Sequence, residues 1–187
     1  TSLLLTTSVE PTISYYDVTR GYLKYAWRAS GQWSSEVADA SGSARGYCSL
    51  ALDSQGRPHI SYMAYSSGAA NLRYAYKNEG GGWTLETVDA GGQVGFWSSL
   101  GLDSQGQPHI SYYDNISGDL KYTTKSGGAW GTPVTLDADG DVGAYTSLAI
   151  DSQDNPHISY YDLGNGDLKI ADKAGGVWTV QSLLASG

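Results

Sequence analysis

The sequence has little of what usually staples or links small domains. Its one cysteine, Cys48, has neither a disulfide partner nor a Cys-x-x-Cys neighbour, which excludes an internal disulfide framework and a cysteine zinc site. Basic residues are scarce: 11 Lys and Arg against 19 Asp and Glu give a formal charge of -8 with no basic run, so nucleic acid and anionic membrane are poor partners. No apolar run approaches the roughly 18 to 20 residues of a membrane helix. The opening Thr1-Ser2-Leu3-Leu4-Leu5 lacks the basic flank and the length of a secretion signal. Apolar residues at helical spacing over ten or more positions are also missing, which removes a parallel βαβ organisation.

What is present points to strands. One Phe and one Met leave the large apolar surface to 15 Tyr and 6 Trp, while 25 Gly supply tight turns, a combination that favours an all-β chain.

The side chains repeat. Ser49-Leu50-Ala51-Leu52-Asp53 returns as Ser99-Leu100-Gly101-Leu102-Asp103 and as Ser147-Leu148-Ala149-Ile150-Asp151, with a weaker copy at Ser2-Leu3-Leu4-Leu5. Ile-Ser-Tyr recurs from Ile13, Ile60, Ile110 and Ile158, and Leu followed by a cation recurs at Leu23, Leu72, Leu120 and Leu168. Trp33, Trp83, Trp130 and Trp178 keep the same beat. In the third copy the turn residues divide the repeat into strands at 99–103, 109–114, 120–125 and 130–136. Four antiparallel strands every ~48 residues fit a β-propeller blade, whose period is about 40 to 50. The expected fold is an all-β propeller of four four-stranded blades in one domain, 1–187, divided at approximately 1–46, 47–96, 97–144 and 145–187.

The order Ser-Leu-x-Leu-Asp-Ser-x-Gly-x-Pro-His-Ile-Ser-Tyr, then Gly-Asp-Leu-Lys, then Trp, resembles β-propeller repeats of secreted bacterial proteins. It shares the strand layout of WD, NHL and kelch blades. The resemblance implies a first strand nearest the central axis, an outermost Trp strand, and an extracellular or cell-surface setting. Repeat one departs from it, with Thr6-Thr7-Ser8-Val9-Glu10 in place of the Asp-Ser-x-Gly turn and Thr12 in place of His, so its first hairpin is in question. The Ser-x-Asp-x-Gly-x-x-Trp box of sialidases does not occur. Propellers host lectins, lyases, hydrolases and scaffolds alike.

Several residues carry candidate chemistry. Tyr47, Trp97 and Tyr145 each stand two residues before the Leu of a first strand, at the expected channel rim, where they either pack between blades or bind a glycan or protein. His59, His109 and His157 hold one repeat position, which reads as a repeated hydrogen bond to a neighbouring strand or turn Asp, with metal binding as the alternative. Asp137, Asp139 and Asp141 surround Gly140 and resemble the start of a calcium loop, although a solvated acidic turn explains them too. No other cofactor is indicated. Asp114 with Asp119, or His109 with Tyr113, could serve a polysaccharide-acting enzyme. Asn115-Ile116-Ser117 matches a glycosylation sequon. A carbohydrate- or protein-binding module, with its ligand at the channel rim or between blades, is the leading reading, with a purely structural repeat of a larger surface protein or a polysaccharide-acting enzyme as alternatives. Whole blades leave two apolar end faces, so closure is expected: by a four-bladed monomer first, or by a ring-completing homodimer or further blades.

Overall fold

The turn residues between the apolar runs cut each repeat into four short strands, and the computed structural model describes residues 1–184 as four antiparallel meanders. Sheet 1 holds β1 (Ser2–Leu5), β2 (Pro11–Asp17), β3 (Tyr22–Ala29) and β4 (Gln32–Asp39). Sheet 2 holds β5 (Ala44–Leu52), β6 (Pro58–Ser66), β7 (Ala69–Lys77) and β8 (Trp83–Asp89). Sheet 3 holds β9 (Val94–Leu102), β10 (Pro108–Asp114) and β11 (Asp119–Ser126), with its fourth strand in two pieces, β12 (Ala129–Trp130) and β13 (Val134–Asp137). The sequence suggests one unbroken strand there; Pro133 has no N–H to donate and interrupts the ladder. Sheet 4 holds β14 (Val142–Ile150), β15 (Pro156–Asp162), β16 (Asp167–Ala174) and β17 (Val177–Leu184). Among the described residues there is no helix long and apolar enough to cross a membrane.

The sheets are propeller blades. Their first strands adjoin one another, β1 to β5, β5 to β9 and β9 to β14. Three apolar clusters fill the gaps between them. Leu23 and Tyr25 of sheet 1 meet Leu50, Ile60 and Tyr62 of sheet 2, and the same positions recur at the next two interfaces, ending on Ile158 and Tyr160 of sheet 4. Both faces of a central blade are therefore covered, which is why β6 and β10 read as apolar on both sides.

The first hairpin forms despite its divergent sequence. In the regular turn Asp53 accepts from the backbone N–H groups of Gln55 and Arg57. In repeat one the Thr6 hydroxyl takes that role, accepting from Glu10 N–H at 3.1 Å, and the register runs Ser2 to Ser14 through Leu5 to Pro11.

A polar clamp repeats beside each apolar cluster. The hydroxyls of Tyr62, Tyr112 and Tyr160 donate to Asp39, Asp89 and Asp137 of the preceding blade at 2.7, 2.6 and 2.6 Å. The same three carboxylates face Arg73, Lys121 and Lys169. The Leu-cation landmark thus marks a side chain that neutralises a carboxylate from the blade before it. Nearer the axis, Ser2, Ser49 and Ser99 accept from the backbone N–H of Leu50, Leu100 and Leu148 in the following blade.

A second buried relay has one defect. Ser61 pairs with Ser98 and Ser111 with Thr146 across adjacent blades, but at the first interface the equivalent position is Cys48, and Ser14 Oγ is buried without a partner. Cys48→Ser supplies a hydroxyl there and is expected to raise stability by about 1 kcal/mol, the usual worth of a satisfied buried hydrogen bond. A urea titration of both proteins checks it.

The ends stay open. No apolar cluster or stacked ring pair joins sheet 4 to sheet 1 among the described residues. Leu3 of β1 is 59% exposed, whereas its equivalents Leu50 and Leu100 are 3% and 6% exposed. The expectation of a four-bladed ring closed by one chain is therefore corrected: the four blades form an open arc.

Candidate functional site

The first strands of sheets 2, 3 and 4 each run nine residues and begin earlier than the turn pattern suggests, because each absorbs a bulge instead of stopping at it. The ladder register shifts beside Gly46, between Ser111 and Tyr113, and beside Ala144. Glycine permits this: at Gly143, with φ of 101°, an added Cβ would lie 2.6 Å from Leu120 Cα of the preceding blade.

The residues presented at the three bulges are Tyr47, Trp97 and Tyr145, with φ of 49°, 47° and 55°. Bulky side chains avoid this left-handed region, at a cost of roughly 1 to 2 kcal/mol each. The structure brings the three together. Trp97 lies 5.7 Å from Tyr47 and 4.7 Å from Tyr145 between ring centroids. Phe96 and Tyr113, which the repeat pattern does not single out, extend the group, with Phe96 5.4 Å from Tyr47 and Tyr113 5.2 Å from Trp97. Tyr47 and Tyr145 are 39% and 62% exposed, so this is a continuous aromatic surface open to solvent across three blades.

Its backbone is held from behind. Ser98 Oγ donates to the Tyr47 carbonyl at 2.8 Å and Thr146 Oγ1 to the Trp97 carbonyl at 3.0 Å, so each blade pins the bulge of the one before. The signal for these hydroxyls was a Ser or Thr one residue after the rim aromatic. Polar groups flank the rings: the Tyr113 hydroxyl donates to Asp141 at 2.6 Å, and burial followed by that carboxylate pushes its pKa up to about 12. Gln93 accepts from the Tyr65 hydroxyl and the Ala70 N–H nearby.

The acidic loop is not drawn together for a metal. Asp137 Oδ2 accepts from Tyr160 Oη and from Lys169 Nζ, both at 2.6 Å, and Asp137 Oδ1 caps the Asp139 N–H. Burial alone would raise the Asp137 pKa, but the Lys169 and Tyr160 hydrogen bonds outweigh it and hold the carboxyl below its ordinary value. Asp141 faces Tyr113. Among the described residues no three His, Cys, Asp or Glu side chains form a metal-binding group.

The histidines lie at the opposite end of the blades, beside the first hairpin turns. Nδ1 of His59, His109 and His157 bonds Tyr74, Tyr122 and Asp172 of the third strand. Nε2 points at the turn residues Asp53, Asp103 and Asp151, 3.4–3.6 Å away. The position repeats because the contact repeats. Burial lowers the pKa of His59 and His109, so their contribution to stability is present above the unfolded value of about 6.5 and is lost as pH falls below it. The Asp172 hydrogen bond raises that of His157, whose smaller, exposed contribution runs the other way. Stability is expected to fall from pH 7.5 to 5.5, and His157→Gln to steepen that fall, as urea titrations at the two pH values will measure.

The catalytic candidates are not assembled. His109 and Tyr113 sit four residues apart on β10, about 13 Å along a strand. Asp114 and Asp119 face each other across a hairpin, but Asp114 caps the N–H groups of Ile116 and Ser117 and lies 3.6 Å from Lys121. A hollow of about 410 Å³ lies between sheets 2 and 3 on the histidine side. Its carboxylates are already engaged, Asp53 by Arg57 and Asp103 by Gln107.

Solved structures share this architecture. A lectin of Aleuria aurantia in complex with α-methyl-L-fucoside superposes with a TM-score of 0.69 at 15% identity, covering 96% of this chain and 59% of the lectin. A protein of unknown function from Dyadobacter fermentans gives 0.66 at 12% identity, covering 97% of this chain and 67% of its own. A Hadza microbial sialidase gives 0.62 at 12%, covering 96% and 45%. The chain thus spans only 59% of the lectin and 45% of the sialidase. No protein-family model matches the sequence, and no curated protein matches it. At these identities the likeness is one of fold, and the chain is an all-β arc of four propeller blades.

Proposed function

We propose that the chain is a carbohydrate-binding propeller module, extracellular or at a cell surface, whose contact surface is the aromatic ladder Tyr47–Trp97–Tyr145. The observation that carries this reading is the strain at the ladder. Three bulky rings in equivalent positions adopt a backbone conformation that favours glycine, and two hydroxyls fix it from the next blade. A repeated local cost of this kind points to a use, because core packing is available to aromatics in ordinary strand geometry. Exposed ring faces stack on the apolar faces of sugars, and Asp and Gln at the edge accept from sugar hydroxyls. The charge of -8 favours neutral over anionic glycans. The lectin of similar fold, solved with a fucoside, makes neutral monosaccharides reasonable first probes.

The test is an array of neutral and anionic glycans with the intact protein and with Trp97→Ala. Retention of neutral glycans by the intact chain only is the expected result; no retention, or equal retention by both, removes the reading.

A further inference from the structure

The first hairpins of sheets 2, 3 and 4 turn on one plan, and one seam between them holds a carboxylate. The turns read Asp53-Ser54-Gln55-Gly56, Asp103-Ser104-Gln105-Gly106 and Asp151-Ser152-Gln153-Asp154. Their registers match, with Leu52 facing Pro58, Leu102 facing Pro108 and Ile150 facing Pro156. The fourth turn residue has a positive φ in each, 74° at Gly56, 76° at Gly106 and 62° at Asp154. Aspartate enters that region more readily than most side chains. From it Asp154 reaches back to sheet 3, where its Oδ1 accepts from the Ser104 backbone N–H and its Oδ2 from Ser104 Oγ, both at 2.7 Å. The side-chain and then the backbone hydrogen bond from Ser104 hold the Asp154 carboxyl below its ordinary pKa, although Asp151 stands nearby.

The seam between sheets 2 and 3 offers the same donors. Ser54 takes the place of Ser104; it is exposed, and among the described residues neither its N–H nor its hydroxyl has a partner. Gly106 takes the place of Asp154, so no side chain crosses this seam, and the hollow of about 410 Å³ lies there, lined by Ser54, Gln55, Arg57 and Gln105 among others. Charge favours an anion here more than in the next seam. Asp53, His59 and Asp103 correspond to Asp103, His109 and Asp151, whereas Arg57 stands where sheet 3 has Gln107. The walls of the hollow thus carry one positive charge more than the seam that already seats the Asp154 carboxylate. Arg57 donates through Nε to Asp53 Oδ2 at 2.7 Å, and its Nη1 lies 3.5 Å from Glu79, a side chain 87% exposed. Solvent screens that outer pair, which leaves guanidinium N–H groups for a ligand. A hollow of about 460 Å³ also lies between sheets 1 and 2, but there Glu10 stands in the place of Arg57.

We infer that the hollow between sheets 2 and 3 binds the carboxylate of a small hydroxylated acid, with the donors that Asp154 meets one seam further on. The Ser54 N–H and Oγ receive the two carboxylate oxygens, Arg57 supplies the opposite charge, and Gln55 and Gln105 bond hydroxyls on the rest of the ligand. A volume of about 410 Å³ falls within the range of small-ligand sites. One acid group suits the site and a polyanion does not, because the whole chain carries a charge of -8. The inference is independent of what the aromatic ladder binds, since the ladder lies at the other end of the blades.

Backbone amide resonances of the intact protein, followed during titration with glucuronate at fixed pH and ionic strength, test it. Glucose is the matched probe without the carboxylate, and acetate the one without hydroxyls. Expected are a saturable downfield shift of the Ser54 amide with glucuronate, weaker binding of acetate, and no shift with glucose. Gly106→Asp puts a carboxylate where sheet 4 has Asp154, and an added Cβ there meets nothing within 4 Å. In that variant the Ser54 amide should stand downfield before any ligand is added and then no longer respond. Ser54→Pro removes both donors at the second position of a turn closed by Gly56 N–H on the Asp53 carbonyl, a position that accepts proline. Read at the Gln55 amide, it should weaken glucuronate binding by at least about tenfold, as expected for lost hydrogen bonds to a charged group, with the remaining spectrum native. No saturable shift at Ser54, an equal response to glucose, acetate bound as tightly as glucuronate, or an undiminished response in Gly106→Asp would overturn it.

Discussion

Asp137→Ala is expected to cost about 3 to 5 kcal/mol of stability, the range for removing one partner of a buried charge pair. The carboxylate lies between sheets 3 and 4, where it neutralises Lys169, a residue only 8% exposed, and accepts from the fully buried Tyr160. Alanine leaves an ammonium and a phenol hydroxyl buried with no acceptor. For a chain of this size the loss corresponds to a fall in melting temperature of roughly 10 °C. The drop should be the same with calcium or with a chelator, since the role of Asp137 is to join two blades. A destabilisation seen only in the presence of calcium would restore the metal reading of the 137–141 loop. Lys169→Met with Asp137→Leu in one chain removes both charges and should recover much of the loss, because apolar replacement of a whole buried pair is often neutral.

Trp97→Ala is expected to weaken glycan binding by about 30-fold or more, corresponding to the roughly 2 kcal/mol or more that a central aromatic contributes to an interface. Trp97 is the middle of the ladder, in contact with Tyr47, Phe96, Tyr113 and Tyr145, so its loss divides the surface into two remnants. Trp97→Gly separates binding from folding. Glycine relieves a backbone cost of roughly 1 to 2 kcal/mol at φ of 47°, which offsets part of the lost ring contacts. Its stability should therefore change less than that of Asp137→Ala while its binding falls as far as that of Trp97→Ala. Calorimetric titration with a glycan retained on the array gives the affinities, and urea titration gives the stabilities.

The blade was legible because stacking forces a repeat to reuse side chains. Leu50, Ile60, Tyr62 and Trp83 recur at every period since each blade meets a neighbour of the same shape. The partners inside that repeat were only partly legible. That the cation after each Leu neutralises an Asp of the preceding blade depends on how two sheets face one another, which spacing along one strand does not reveal. The bulges were illegible for a related reason. The turn pattern starts these strands too late, because the ladder of hydrogen bonds continues past the extra residue, so the aromatics stand on strands held by Ser98 and Thr146. Pro133 carried a plain signal that the repeated Trp130 obscured. The open ends depend on curvature, which follows from how the wedges pack and leaves no mark in the pattern of a single blade.

Ligand is expected to meet the molecule at the ladder and not in the seams between blades, and the tryptophans give a direct readout. Trp97 alone of the six lies on the ladder; Trp83, Trp130 and Trp178 are in the seams, Trp27 packs beside Tyr25, and Trp33 is on the end face. In protein labelled with fluorotryptophan and assigned by single Trp→Phe substitutions, titration with a retained neutral glycan should move the fluorine resonance of Trp97 and leave those of Trp83, Trp130 and Trp178 in place. A saturable shift at any of those three with Trp97 unmoved would put the ligand in the seams and remove the ladder as its site.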